Sequence, residues 1–214
     1  MPTKRAIRNQ EAGAPDQPAP FFFPATKDDP MRDIVRIETE RLTLRRLTLA
    51  DATRISRLTS DQDVARMLAA VPCPNPVVAV EGWILIGLAR ASLALDHVFG
   101  VDLSGQGLIG CVGAHKREDG VELGYWFGKP FWGEGYGTEA VRAFVAEASS
   151  LGPLQAGHFV DNPRSGRVLE KVGFAYTGEV TPLFSLARGQ SVPTRRMSFR
   201  TRSVREPRAL QACA

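Results

Sequence analysis

The chain has 214 residues, 43% of them hydrophobic and 23% charged, which is typical of one soluble globular domain with a substantial core. Its net charge of +4 is uneven, because residues 185–214 contain seven arginines and one glutamate. That basic tail carries no RNA-binding motif, so it does not predict a nucleic-acid-binding domain. The three cysteines and three histidines lack the spacing of a disulfide framework or a metal site, which favours a reducing cytoplasm and no metal.

Both ends of the chain are predicted to lie outside the folded domain. Residues 1–30 are rich in Pro, Ala, Asp and Lys, and their only apolar cluster is Phe21-Phe22-Phe23. They contain no apolar stretch of signal-peptide length. We therefore expect a disordered tail over residues 1–36, a domain over residues 37–202 and a flexible basic tail over residues 203–214.

The first predicted elements are a strand and two short helices. Residues 37–47 alternate as one strand. Helical spacing follows, with Ile55 and Leu58 on the buried side, and Asp61 begins a second short helix. The proline-rich residues 71–76 cannot be helical and predict a loop.

Residues 77–95 form the most apolar stretch of the chain. A transmembrane helix is one interpretation, but Arg90 alone would cost about 2.5–3.5 kcal/mol near the centre of a bilayer, and Glu81 is also charged. The better prediction is a buried amphipathic helix in which Trp83 packs in the core.

The second half of the chain predicts a mixed sheet. Three strands at residues 97–103, 108–114 and 121–127 form an antiparallel meander. A helix from Thr138 then leads to a strand at residues 154–160, and such a strand–helix–strand connection predicts a parallel pair.

A last helix and a hairpin complete the predicted fold. The helix covers residues 162–172, and Phe184–Leu186 pairs with Met197–Arg200. The fold class is therefore α/β (α+β): a mostly antiparallel sheet with one central parallel pair, flanked by helices. Ligands of such open sheets bind where the parallel strands diverge.

A glycine-rich turn before the second-half helix is the strongest functional signal. Gly133, Gly135 and Gly137 alternate just ahead of the helical run, so an anion can approach the backbone and the unpaired N–H groups of the first turn. Phosphate suits this geometry. It is not a P-loop, because Gly128-Lys129 is followed by Pro130. It is not a Rossmann turn either, because the preceding strand pairs antiparallel with its predecessor.

The spacing Trp132-x-x-Gly135-x-Gly137 resembles the pyrophosphate loop of the GCN5-related N-acetyltransferases (GNAT), Gln/Arg-x-x-Gly-x-Gly/Ala. Residues 162–174, an asparagine followed by a helix ending at Gly-Phe, are similar to the second half of that family's site. With Glu-Leu-Gly-Tyr-Trp at 122–126 and Glu-Arg-Leu-x-Leu-Arg at 40–45, the set is most similar to the RimJ/RimL-like branch, which acetylates ribosomal-protein N-termini. The resemblance covers residues 37–202. It also implies that the helix at residues 77–95 borders the acceptor site, so a Trp83 side chain that faces the substrate is the alternative to core packing.

The resemblance implies a GNAT fold that uses acetyl-CoA as co-substrate. The loop backbone would hold the pyrophosphate, and the pantetheine arm would lie along residues 125–127 like an added strand. Asn162 would contact the donor near its thioester and also cap the following helix. The expected acetyl-CoA-binding residues are Tyr125, Trp126, Phe127, Trp132, Gly133, Gly135, Tyr136, Gly137, Thr138 and Asn162.

Glu122 is the expected general base, because it matches the strand position where related acetyltransferases carry a glutamate. An exposed carboxylate without a catalytic role is the alternative, and His115 is a weaker candidate base. Ser165 matches the serine of RimL-like enzymes and is expected to protonate the leaving thiolate. The tyrosine of many relatives is Leu169 here and the downstream RimL-type glutamate is Phe184, so deprotonation of the amine by bulk water is a further alternative.

The predicted function is N-acetyl transfer from acetyl-CoA to a primary amine by direct attack. The acceptor could be a protein N-terminus, a polyamine, an amino acid or an antibiotic amine. A monomer or homodimer without membrane association is expected. The alternative is a non-catalytic acyl-CoA-binding or nucleic-acid-associated module of the same fold.

Overall fold

A computed structural model describes residues 29–199 and forms one eight-stranded sheet in the order β1-β2-β3-β4-β5-β6-β8-β7. The strands are β1 (Arg36–Glu38), β2 (Leu42–Arg46), β3 (Asp96–Leu103), β4 (Gly107–Arg117), β5 (Gly120–Phe127), β6 (Leu154–Phe159), β7 (Phe174–Ser185) and β8 (Gln190–Phe199). The helices are α1 (Ala52–Thr59), α2 (Gln62–Ala65), α3 (Val77–Ser92), α4 (Tyr136–Ala148) and α5 (Pro163–Val172). The β5–β6 pair is parallel and the other pairs are antiparallel, which confirms the predicted fold class.

Residues 29–36, which precede the predicted domain boundary at residue 37, belong to the described fold. Met31 is fully buried, and its N–H donates to the Asp29 carboxylate at 3.0 Å. The Arg46 guanidinium donates to the Met31 carbonyl at 2.7 Å. Residues 29–36 therefore contact the core. The predicted tail residues 1–28 and 203–214 lie outside the described residues.

The single strand predicted over residues 37–47 is wrong, because the structure has two. β1 and β2 form an antiparallel hairpin with Ile37 opposite Leu44. The Thr39 N–H donates to the Leu42 carbonyl at 2.9 Å and closes the turn between them. Alternation continues through such a short turn, so the sequence pattern could not show the break.

The main core lies between the sheet and α4. In this helix Val141 and Phe144 are fully buried. Phe144 meets Phe99 of β3 edge to face, with ring centroids 5.8 Å apart. Burying such a side chain contributes about 1.5–3 kcal/mol. This packing holds α4 against the sheet.

A second core on the opposite face of the sheet holds α1 and α3. Ile55 and Leu58 of α1 are buried as predicted. The prediction that α3 is buried is wrong: Val80 and Ile84 face the sheet, whereas Val78 is 72% exposed and Trp83 is 38% exposed. A helix that is apolar around its whole circumference does not reveal which side packs. No helix within residues 29–199 combines the length and apolar character needed to cross a membrane.

The closing hairpin exists but pairs differently from the prediction. β7 begins directly after α5, so Phe184 lies opposite Ser191 and Met197 lies opposite Tyr176. Phe184–Leu186 and residues 197–199 therefore do not pair with each other, and Arg200 lies outside the described residues. Most of β7 is exposed, and it lacks the alternation that would have marked it as a long strand.

Candidate active site

The glycine-rich turn lies between the end of β5 and the start of α4. A short 3-10 turn over Lys129–Phe131 leads into Gly133 and Gly135, whose φ angles are +90° and +83°. Glycine adopts this left-handed conformation without the penalty that a side chain brings. Gly135 is the N-cap residue of α4, so the turn brings the backbone around in front of the helix N-terminus.

The backbone N–H groups of this turn form a potential anion site. Within residues 29–199, none of the N–H groups from Gly133 to Thr138 has a protein hydrogen-bond partner. They adjoin the positive end of the dipole of α4, a 13-residue helix. Unpaired amides at a helix N-terminus bind phosphate. We refer to residues 133–138 as the amide loop.

Arg41 braces the amide loop from the β1–β2 hairpin. Its Nε donates to the Glu139 carboxylate at 2.7 Å, its Nη1 donates to the Glu134 carbonyl at 3.1 Å, and its guanidinium lies 4.6 Å from the centre of the Tyr136 ring. Burial would raise the pKa of Glu139, but hydrogen bonds from Thr39 and Arg41 outweigh it and lower that pKa. Arg41 belongs to the Glu-Arg-Leu-x-Leu-Arg motif at 40–45, but it lies almost a hundred residues before Glu139, and the sequence did not show that it contacts the amide loop.

Trp132 also fixes the turn. Its indole Nε1–H donates to the Phe127 carbonyl at 2.7 Å. The side chains of Tyr125 and Phe127 enter the main core, whereas Trp126 packs against the α1–α3 side. The three side chains therefore do not face one ligand together. A ligand on this strand could contact the main-chain edge of β5 and the side chain of Trp126.

The edge of β5 is open beyond a short parallel ladder. β5 and β6 pair only at Val121–Leu154, Glu122–Gln155 and Leu123–Ala156 within the described residues. From Gly157 onward β6 pairs with β8 alone. We call the divergence beginning at Gly124 the fork. Within the described residues, no strand pairs with residues 124–127 on that side, and apart from the Phe127 carbonyl, which accepts from Trp132, this edge is suited to an extended ligand.

Asn162 and Ser165 lie at the start of α5, on the other side of the fork. The Asn162 side-chain oxygen accepts from the Ser165 N–H at 3.3 Å, which is the predicted helix cap. The Ser165 hydroxyl lies 2.7 Å from the Tyr125 hydroxyl, which also donates to the Ser165 carbonyl at 2.9 Å. Burial raises the pKa of Tyr125, so the phenol stays protonated near neutral pH.

A row of polar side chains crosses the face of the sheet that lies opposite to α4. The strand register places Asp96 beside His115, His115 beside Glu122, and Glu122 beside Gln155. We call these four residues the polar row. Alternation on β5 places Glu122 and Gly124 on this same face, so the row ends at the fork.

Both carboxylates of the polar row are paired. The two terminal nitrogens of Arg196 donate to the Glu122 carboxylate at 2.9 and 2.6 Å. Asp96 accepts from Arg90 Nε at 2.6 Å and lies 3.2 Å from His115 Nδ1. Burial would raise the pKa of Asp96, but hydrogen bonds from His115 and Arg90 outweigh it and lower that pKa. Asp96, Arg90 and Arg196 were not identified from the sequence.

Comparisons with known proteins agree with this architecture. The family model described as Acetyltransferase (GNAT) domain matches residues 41–175. The uncharacterised N-acetyltransferase YoaA of Bacillus subtilis (strain 168) is 28% identical over 152 residues, 66% of this chain and 84% of YoaA.

Two solved structures share the fold at low sequence identity. The microcin C7 self-immunity acetyltransferase MccE, in complex with acetyl-CoA and AMP, has a TM-score of 0.64 at 19% identity, covering 75% of this chain and 92% of MccE. The Salmonella typhimurium acetyltransferase that modifies the N-terminal serine of 50S ribosomal subunit protein L7/L12 has a TM-score of 0.65 at 13% identity, covering 76% of this chain and 97% of that enzyme. Because the family model spans more than half of the sequence, this chain belongs to the GNAT acetyltransferase family.

Proposed function

We propose that this acetyltransferase moves an acetyl group from acetyl-CoA to a primary amine, which attacks the thioester directly. The observation that carries the proposal is the amide loop at the N-terminus of α4, immediately beside the open edge of β5. The pyrophosphate would rest on the N–H groups of residues 133–138. The pantetheine arm would run back along residues 125–127, which brings the thioester to the fork at Gly124.

The groups around the fork supply the chemistry of thioester aminolysis. The acceptor side is the face of the polar row, because α4 and α5 cover the opposite face of the sheet. The Ser165–Tyr125 hydroxyl pair is the proton source that we assign to the departing thiolate. Asn162 uses its side-chain oxygen for the helix cap, and we assign its NH₂ group to the donor near the thioester.

The charges of the polar row favour a single amine over a polyamine as acceptor. Glu122 is matched by Arg196, and Asp96 is matched by Arg90. A polycation would need carboxylates in excess of the cations around them, and these pairs provide no such excess. We therefore propose an acceptor with one free amine, such as a protein N-terminus in the manner of the RimJ/RimL-like branch, in the reducing cytoplasm.

A free-thiol assay with an acceptor panel tests this function. The panel contains a peptide with a free N-terminal serine, the same peptide with an acetylated N-terminus, spermidine, lysine and an aminoglycoside. We expect the free peptide to release CoA and gain one acetyl group by mass spectrometry, and its blocked counterpart to give only background. If calorimetry shows acetyl-CoA binding but no free amine releases thiol, the protein is a non-catalytic acyl-CoA-binding module.

A further inference from the structure

We infer that His115 is the general base of the transfer and that Asp96 positions it, an inference that rests on the proposed function. The side of Gly124 that faces the acceptor is open. A Cβ built on Gly124 would lie 4.0 Å from Nε2 of His115. Apart from the residues next to Gly124, no other heavy atom of the described residues lies within that distance. Gly124 is also the first residue of the fork, where the thioester would lie.

The contact between the imidazole and Asp96 leaves Nε2 as the basic nitrogen. Nδ1 lies 3.2 Å from Asp96 Oδ1, and the Asp96 side chain is only 9% exposed. Arg90 holds the same carboxylate through two nitrogens, at 2.6 and 3.2 Å. An ionised carboxylate accepts but does not donate, so this contact favours the tautomer with the proton on Nδ1 and the lone pair on Nε2. The lone pair therefore faces the fork.

The surroundings of Glu122 suit proton acceptance less well. Both of its oxygens accept from Arg196, so a proton on either one would replace a charge-assisted hydrogen bond. His115 loses no hydrogen bond when it takes a proton, and the imidazolium strengthens its bond to Asp96. Glu122 and Arg196 border the acceptor side as a fixed ion pair. Asp96 contacts the imidazole, Arg90 holds Asp96, and the buried His97 of the same strand is close enough for its charge to interact with that of His115.

The proposed step balances without any additional reactant. The acceptor ammonium gives a proton to His115 Nε2, and the neutral amine nitrogen bonds to the thioester carbonyl carbon. The attacking nitrogen, now positively charged, loses its second proton to water, the C–S bond breaks, and the electron pair leaves with sulfur. The thiolate takes a proton from the Ser165–Tyr125 pair, which regains one from water, and the imidazolium releases its proton to solvent. The products are the amide and free CoA.

Matched variants separate the two candidate bases. His115→Gln should lower kcat/KM for the N-terminal serine peptide by roughly 10²–10⁴-fold and remove the acidic limb of its pH profile. Its acetyl-CoA affinity by calorimetry should stay unchanged. Glu122→Gln should cost less than His115→Gln, and Lys116→Gln, an exposed neighbour on β4, should leave the rate unchanged. A His115→Gln enzyme that retains the wild-type rate and pH profile would overturn the assignment.

Two readouts without turnover and one kinetic comparison test the imidazole. His97 and His158 are 2% and 5% exposed, so diethyl pyrocarbonate should modify one histidine quickly in the native protein and none in His115→Gln. Nitrogen-15 NMR should show His115 with its proton on Nδ1. Asp96→Asn should disturb that tautomer and lower kcat more than it raises KM, and Asp96→Glu should restore part of both. A proton on Nε2 in the wild type contradicts the proposal.

The outcomes distinguish the base from the function itself. If the wild type acetylates the peptide and His115→Gln does so equally well, only the base assignment fails. If the wild type acetylates no amine, the proposed function fails, and the base assignment fails with it.

Discussion

Replacing Gly135 by valine tests the amide loop as the acetyl-CoA site. Gly135 has a φ of +83°, and a Cβ built on it would lie 3.4 Å from Arg41 Nη2. Valine would therefore strain the backbone by about 1–2 kcal/mol and place methyl groups beside the N–H groups that would hold the pyrophosphate. If two hydrogen bonds to charged phosphate oxygens are lost, at about 1.5–3 kcal/mol each, affinity should fall at least about 100-fold.

Gly189→Val is the matched control. Gly189 also has a positive φ, +62°, but lies in the β7–β8 turn with open space around it. Both variants should melt lower, by about 2–4 °C for each kcal/mol of strain. Isothermal calorimetry at 25 °C should then show lost acetyl-CoA binding for Gly135→Val and a wild-type Kd for Gly189→Val. A wild-type Kd for Gly135→Val would refute the assignment of the phosphate to this loop.

Three further predictions concern the residues around the site and the pH dependence of the fold's stability. Arg41→Gln should weaken acetyl-CoA binding about 3–10-fold in calorimetry, because the amide loop loses the side chain that holds it. Arg36→Gln, at an exposed position, should leave the affinity unchanged. Equal losses of affinity in both variants would show that Arg41 does not hold the loop in place. Ser165→Ala and Tyr125→Phe should each slow turnover. The double variant should be little slower than either single variant, because the two hydroxyl groups act as one pair. Losses that add up in the double variant would exclude a shared role. Burial lowers the pKa of His97 from its ordinary 6.5, so the unfolded chain binds more protons as the pH falls through about 6.5 and the free energy of unfolding should decrease there. Urea titrations across this range should show that decrease in the wild type but not in His97→Gln.

The fold could be predicted from the sequence where one segment carries its own signal. The meander, the parallel pair and α4 each follow from local alternation, from turn residues or from a single helical face. The amide loop follows from three alternating glycines ahead of a helix, and no partner elsewhere in the chain is needed to recognise it.

The polar row could not be predicted, because it depends on register. Asp96, His115, Glu122 and Gln155 come from four strands, and a shift of one residue in any of them would turn its side chain to the other face. Arg196 reaches Glu122 from a strand 74 residues later. A single sequence shows that Glu122 precedes the glycine turn, but not that a guanidinium occupies both of its oxygens.

The fork also has a consequence for how the protein unfolds. Within the described residues, the sheet's N-terminal part, β1–β5, joins its C-terminal part, β6–β8, through a ladder of three residue pairs. Such a narrow connection is where a sheet can separate into two cooperative units. A donor lying in the fork, with its arm on β5 and its thioester end near α5, would add contacts across that junction. Saturating acetyl-CoA would then raise the cooperativity of denaturant unfolding as well as its midpoint, and would slow amide hydrogen exchange on both sides of the fork together.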